Sequence, residues 1–373
     1  MRPAPPTTRQ EAAIDTLTLR IGFEIELLAP AGSDRQVLAR ALAARTGGEV
    51  RRSFHTDSEP SAVPGVGVFR HLSPAFDVVD GDGAPVARLV DDITLVADLA
   101  GTTTRPGHRG WYRVLCDEPR LLRLIERSTD PGAALPEVLA PVAELFGTRV
   151  EMRGGAARVN DTAGATVAVA MPLPAGRERP CEIVTPPVGA NHGAVLDGLL
   201  GTARDLGFTV PAEAAVHLHL DGAPFRRPAA FANLVRLFGH WREPLWEALG
   251  TNPACRRLAP LPAELLRLVE RPVPPGAGRT WAELAAGARE IGLTKYADVN
   301  LTQLVAPHPV RDTVEVRILP GALESEDVLR RAALVEGLVR RCLDDAPVPR
   351  PGAAAASDPV AALRALAADG AGR

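Results

Sequence analysis

Three short apolar segments carry polar residues at a spacing of two, and this spacing constrains the chain more than any other feature. In an extended strand, residues i and i+2 face the same side. In Gly22-Phe23-Glu24-Ile25-Glu26-Leu27, Glu24 and Glu26 share one face while Phe23, Ile25 and Leu27 take the other. In Val216-His217-Leu218-His219-Leu220 the two imidazoles share a face, and in Val314-Glu315-Val316-Arg317-Ile318 a carboxylate and a guanidinium do so. Glu182 stands in a fourth such run, Cys181-Glu182-Ile183-Val184, with Cys181 turned into the core. Apolar faces of this kind pack against helices, so the opposite face collects Glu24, Glu26, Glu182, His217, His219, Glu315 and Arg317. Taken singly, E-x-E reads as a solvated face and E-x-R as an exposed ion pair of little energetic value. The coincidence of all three in one chain favours a site. Carboxylates gathered in this way repel and are costly to desolvate, and a divalent cation removes the conflict. Mg²⁺ takes carboxylate oxygens and keeps waters, and an imidazole in the set also suits Mn²⁺. Two such ions would draw charge from a nucleotide's phosphates during phosphoryl transfer.

Composition removes several function classes. With 46% apolar and 23% charged residues over 373 positions, the chain is globular, not disordered. A net charge of −3 gives no basic excess for nucleic acid. There is no run of about 18 apolar residues to cross a membrane. The opening MRPAPPTTRQEAAID lacks the apolar stretch of a secretory signal, so a cytoplasmic location is expected. Cys116, Cys181, Cys255 and Cys342 form no CxxC pair and read as reduced thiols. Of the 42 basic residues only Lys295 is lysine, so arginine usage carries little information and Lys295 slightly more. The GxxxxGK[ST] loop is absent, and Arg70 stands where Gly65-Val66-Gly67 would need its third glycine.

The pattern of elements predicts an α+β fold, because strands and helices intersperse and several strands are joined by short turns. A strand is expected over 17–29, a helix over 34–46, and several strands over 65–99 with a hairpin turn at Asp80-Gly81-Asp82-Gly83. Helices follow over 118–129 and 136–147, then strands over 165–173 and 181–188, the latter ended by Pro186 and Pro187. The second half predicts helices over 193–207, 228–249 and 261–270, a linker over 271–278, and a helix opened by a Thr280–Glu283 capping box. Strands cover 214–222, 297–305 and 312–321, and a last long helix runs from a Ser325 cap to about Leu343. The organisation expected is a mobile segment over 1–16, a catalytic domain over 17–346, and a loose low-complexity tail over 347–373 with at most a short helix.

In their order along the chain, GFEIEL (22–27), EIVTPP (182–187), HLHLDG (217–222), KYADVNL (295–301) and TVEVRILPG (313–321) resemble the amidoligase family, which is related to glutamate–cysteine ligase and glutamine synthetase. The resemblance implies a curved, largely antiparallel sheet backed by helices, as in the glutamine synthetase catalytic domain. It implies an ATP-dependent carboxylate–amine ligase that forms an amide through an acyl phosphate, with ATP and Mg²⁺ or Mn²⁺ as cofactors. The partners implied are a small-molecule or peptide carboxylate and an amine. Glu24, Glu26, Glu182, His217 and Glu315 would match metal ligands. His219, Lys295 and Asn300 would face the nucleotide. Arg317, with Glu315, would act on the phosphoryl group in transfer. Two other readings stand beside this one. A metal-dependent amide hydrolase would also use H-x-H, but only 154 residues follow His219 where a (β/α)₈ barrel takes about 250. A non-catalytic nucleotide-binding relative would not need every acidic position filled.

Overall fold

The computed structural model describes residues 17–60, 68–96, 99, 110–255, 257–272, 278–352 and 357–371. The segment 1–16, Gly65 and Gly67, and positions 273–277 of the expected linker lie outside the described residues. The fold is α+β with antiparallel strands, as the element pattern predicts. In chain order the elements begin β1 (Ile21–Leu28), α1 (Arg35–Arg45), β2 (Glu49–Pro60), β3 (Val68–Val79), β4 (Pro85–Val90), β5 (Tyr112–Cys116), α2 (Pro119–Ser128), α3 (Leu135–Val138) and α4 (Ala140–Leu145). Then come β6 (Val150–Arg153), β7 (Ala156–Asn160), β8 (Thr166–Pro172), β9 (Pro180–Val184), α5 (His192–Asp205) and β10 (Ala215–Asp221). The rest are α6 (Pro228–His240), α7 (Arg242–Leu249), α8 (Ala263–Glu270), α9 (Trp281–Ile291), β11 (Val299–Asn300), α10 (Thr302–Val305), β12 (Thr313–Pro320), α11 (Ser325–Cys342) and α12 (Pro359–Ala371).

The chain divides into two compact units. The first comprises Met1–Ile25, Thr185–Gly201 and Val210–Arg373, and the second Glu26–Val184 and Thr202–Thr209. Both contain parts of the stretch 17–346.

In the first unit the strand order is β11-β12-β10-β1, every pair antiparallel. Alternation works as the sequence predicts: Phe23, Ile25, Val216, Leu218, Val314, Val316 and Ile318 are buried, leaving the polar residues to the other face. Helix α6 is buried nearly all round, including Phe231, Leu234 and Val235. The expected single helix over 228–249 breaks at Trp241. Pro244 supplies the reason: inside a helix it would lose its bond to the carbonyl four residues back, whereas in the first turn of α7 it is tolerated. The Thr280–Glu283 capping box opens α9, with Glu283 Oε2 accepting from the Thr280 backbone at 2.8 Å. Two boundaries differ from expectation. The strand over 297–305 stops at Asn300, because Asn300 Oδ1 accepts from Thr302 N (3.0 Å) and turns the chain into α10. Glu324, not Ser325, precedes α11, and the Ser325 hydroxyl donates to the Asp197 carboxylate instead.

The low-complexity stretch expected as a loose tail contains α12, which packs on α11 with Leu363 fully buried. Its alanine-rich sequence is a strong helix former, and paired glycines bring the two helices close. A Cβ on Gly337 would lie 2.9 Å from the Ala367 carbonyl oxygen. Upstream, Val348 is buried and Trp241 Nε1 donates to Pro349 O at 2.8 Å.

The second unit orders its strands β9-β4-β3-β5-β8-β7-β6, with β2 along β3. The β3–β4 hairpin turns where expected: Asp80 Oδ1 accepts from Asp82 N (3.0 Å) and Ala84 N (2.8 Å), and Gly83 takes a φ of +82°. Helices α2, α3 and α4 cover a core that includes Phe54, Leu72, Tyr112, Val114, Ile125 and Val142. Under α1, the fully buried Arg35 donates to the carbonyls of Arg177 and Pro180, and Arg177 pairs with Asp91. Asp92, just past the end of β4, accepts from Thr94 N (2.7 Å) and Thr94 Oγ1 (2.9 Å).

All four cysteines are free. Burial pushes the Cys116 thiol up to about 12 and raises Cys181 and Cys342 as well, so none of these is a ready nucleophile. Among the described residues no helix is long and apolar enough to cross a membrane.

Candidate active site on the β1, β10 and β12 strands

The site is built by register. β10 lies between β1 and β12, so His217 meets Glu24 from one neighbour and His219 meets Glu315 from the other. Glu24 stands opposite His217, Gly22 opposite His219, His219 opposite Glu315, and Glu315 opposite Asn300. A register shift between Val216 and Leu218 marks an irregularity in the β10–β12 ladder. Directly opposed side chains on adjacent strands are close enough to interact.

The contacts form one connected cluster. His217 Nδ1 lies 3.3 Å from Glu24 Oε2 and 3.6 Å from Glu315 Oε1. His219 Nε2 lies 3.1 Å from Glu24 Oε1, and its Nδ1 lies 3.2 Å from Thr313 Oγ1. Arg317 donates to Glu315 Oε1, and Asn300 Nδ2 donates to Glu315 Oε2 at 2.7 Å. Arg311 donates to Glu24 Oε1 at 3.1 Å. Glu24 and Glu315 are nearly buried, at 13% and 9% side-chain exposure, so their charges act in a partly desolvated setting.

Electrostatics keep both carboxylates ionised. Burial alone would raise Glu24, but His219 and His217 outweigh it and hold the carboxyl well below the ordinary glutamate range. Glu315 is also lowered: burial opposes this, while Arg317 and the two histidines favour the anion and the nearby Glu24 works against it. His219 is raised despite burial, because Glu24 and Glu315 stabilise its charged form. The net result is two anions and several cationic or neutral donors facing one space.

This donor set fits a divalent cation. Ligand atoms of Glu24, His219 and Glu315 lie within 4.8 Å of one another. The 3.1 Å between His219 Nε2 and Glu24 Oε1 suits two ligands at about 2.1 Å from a shared ion. When Thr313 Oγ1 accepts the Nδ1 proton, His219 presents the Nε2 lone pair, the usual outer-shell arrangement for a ligating histidine. Glu315 retains lone pairs beyond the two that Asn300 and Arg317 occupy.

Of the residues singled out in the sequence, Glu24, His217, His219, Asn300, Glu315 and Arg317 come together here. The Asn300 amide is engaged by Glu315 at one end and Thr302 at the other, contacts that orient Glu315. Glu26, buried on β1, and Glu182, opposite Val90 on β9, belong to the second unit. Lys295 places its ammonium 5.4 Å from the centroid of Tyr296, whose ring also carries Arg257 at 5.2 Å.

The structure adds residues that sequence reasoning passed over. Arg311 lies just before the expected strand, whereas Thr313 stands two residues before Glu315, so the spacing-two rule places it on the same face. In the second unit, His55 and His71 both approach Asp57, at 3.3 and 3.2 Å, and Ser73 Oγ donates to it at 2.6 Å. His55-x-Asp57 and His71-x-Ser73 are themselves spacing-two pairs, on paired strands with Asp57 opposite His71. The rule applied to the other segments would have found them. Burial opposes ionisation of Asp57, but His55 and His71 overcome it and lower its pKa from 3.8. A depressed acid contributes stability above its unfolded value that is lost as pH falls below it. Asp57→Asn is therefore expected to lower stability at pH 7 by on the order of 3 kcal/mol, the scale for breaking a buried pair. It should also flatten the acid limb below about pH 4, where wild type loses stability steeply. Urea unfolding across this range checks it; parallel curves for the two proteins would remove Asp57 from the acid transition.

Fold and site together define an α+β protein whose antiparallel strands present a partly desolvated carboxylate–imidazole–guanidinium cluster. The family described as "putative amidoligase enzyme" matches residues 17–339, and the chain belongs to it. Membership makes the chain a ligase-type enzyme, and the match spans residues of both units. No curated protein and no solved structure matches the chain.

Proposed function

We propose that the protein is an ATP-dependent carboxylate–amine ligase that uses Mg²⁺ or Mn²⁺. The observation that carries this reading is the placement of Glu24, His217, His219, Glu315 and Arg317 on three adjacent strands of an amidoligase-family chain. A bound divalent cation would neutralise charge on the triphosphate. Glu24, His219 and Glu315 would hold it. Asn300 fixes the Glu315 carboxylate, and Thr313 fixes the His219 ring. Arg317, planar and always charged, is suited to grip phosphate oxygens in two places.

In the first step a carboxylate oxygen of the acid attacks the γ-phosphorus. An O–P bond forms, the bridge from the γ-phosphorus to the β-phosphate breaks, and ADP leaves. In the second step the amine nitrogen attacks the acyl carbon, the carbon–oxygen bond to phosphate breaks, and inorganic phosphate departs as the nitrogen loses a proton. Phosphoryl transfer of this kind depends on positioning and charge neutralisation more than on covalent catalysis. The substrates are a small-molecule or peptide carboxylate and an amine.

The test is a screen of acids and amines for ADP release, with mass analysis of the product. Sustained ADP release is expected only when acid, amine, ATP and Mg²⁺ or Mn²⁺ are all present, with a product equal in mass to acid plus amine less water. Metal-dependent amide cleavage without ATP would instead make the protein a hydrolase. Metal-dependent ATP binding without turnover on any pair would point to the non-catalytic relative.

A further inference from the structure

We propose that Arg311 is a displaceable counter-ion: it neutralises Glu24 while the cation site is empty and turns to the polyphosphate of the nucleotide when a cation binds. This rests on the ligase reading for its nucleotide half, and on the geometry alone for its metal half. Arg311 Nη1 donates to Glu24 Oε1, the same oxygen that lies 3.1 Å from His219 Nε2 and belongs to the cation-sized set with Glu315. An ion held there would face the guanidinium across one shared oxygen. Arginine cannot shed its proton to relieve the repulsion, so the side chain must leave.

The structure separates a fixed backbone from a movable side chain. Gln303 Oε1 accepts from Val310 N at 2.8 Å. Asp312 is gripped by Arg226 through two bonds of 2.6 Å, and its carbonyl accepts from Gly222 N at 2.9 Å. That approach requires glycine at 222, where a Cβ would lie 2.6 Å from Asp312 Oδ1. The Arg311 side chain, by contrast, is 53% exposed against 13% for Arg317. With its Cα held, a guanidinium released from Glu24 stays at the rim of the site. There its planar fork suits two oxygens of one phosphate group. Arg317 lies within the strand on Glu315, so the two arginines approach the cluster from different carboxylates.

The two halves predict effects of opposite sign in one variant of the full chain. Arg311→Gln should bind Mn²⁺ alone about fivefold more tightly, the size of one partly screened ion pair. The same variant should bind MgATP at least about tenfold more weakly, the size of one charge-assisted hydrogen bond. Arg311→Lys keeps the charge but not the fork. It should match wild type toward Mn²⁺ and recover only part of the MgATP affinity. Electron paramagnetic resonance of free Mn²⁺ and calorimetry with MgATP, at one fixed ionic strength, read the two arms. Equal or weaker Mn²⁺ binding in Arg311→Gln, including no binding in either protein, overturns the counter-ion role. Unchanged MgATP affinity in that variant overturns the polyphosphate contact. Absence of MgATP binding in wild type would overturn both that contact and the ligase reading, while the Mn²⁺ arm still judges the counter-ion role.

Discussion

Arg317→Lys is expected to lower kcat by about 10²–10³ while leaving KM for ATP within a few-fold, a loss of roughly 3–4 kcal/mol of transition-state stabilisation. The reason lies in how the strand presents the two residues. Arg317 and Glu315 leave β12 on one face, and Arg317 donates to Glu315 Oε1 while Asn300 holds Oε2. Glu315 is thus clamped between a charged and a neutral donor, and the guanidinium is positioned before any ligand arrives. A lysine would keep the charge and the pairing but lose the fork that can meet two phosphate oxygens together. Charge on the transferred group shifts as the transition state forms, so the lost contact weighs on kcat more than on KM. The competing account is an ion pair at a sheet face, worth under about 1 kcal/mol if solvated. In that case Arg317→Lys would turn over normally and differ slightly in melting temperature. Steady-state kinetics at saturating metal decides, and a normal kcat would remove Arg317 from the mechanism.

Local pattern was legible in the sequence, and pairing was not. Alternation of apolar and polar residues placed Glu24, His217, His219, Glu315 and Arg317 on strand faces opposite the core, and burial of Phe23, Ile25, Leu218, Val314 and Val316 bears this out. The Thr280 capping box and the Asp80–Gly83 turn were legible because both are set within four residues. Register at His219 is set by partners 96 and 197 residues away in the chain. Nothing near His219 in the chain says that Glu315 and Gly22 flank it. Asn300 illustrates the limit. Its neighbourhood reads as a continuous strand, yet its own side chain caps Thr302 and ends the strand after two residues. Arg311 was illegible for a different reason: one arginine among 41, on a loop without period, has no signal until the fold brings it to Glu24. In the tail the possibility of a short helix was legible from composition, but its docking was not: α12 packs where α11 offers a glycine-lined face.

Glu24→Gln is expected to weaken Mn²⁺ binding by at least about 100-fold and to lose activity in proportion at subsaturating metal. Altering an outer-shell partner of a metal site already costs about 10–100-fold, and Glu24 would be a direct ligand. Its carboxylate faces His217 through Oε2, and His219 and Arg311 through Oε1. The amide replaces one of these acceptor oxygens with a donor NH₂, so whichever way it turns, one partner meets a donor in place of an acceptor. The change also removes the anion that raises His219 and so alters the pH dependence of the empty protein. A histidine whose folded pKa is raised adds stability below its unfolded value of about 6.5, and this is lost as pH rises through the folded value. In Glu24→Gln that contribution shrinks, so the variant loses more stability at pH 5 than at pH 9. Metal affinity and pH dependence therefore test one residue by independent routes. If Glu24 were a solvated strand acid, Gln would leave Mn²⁺ affinity unchanged and shift stability equally at both pH values. Mn²⁺ titration and thermal melts at pH 5 and 9 separate these outcomes. Unchanged Mn²⁺ affinity would move the cation away from the β1–β10 ladder, even if the pH effect on His219 were found.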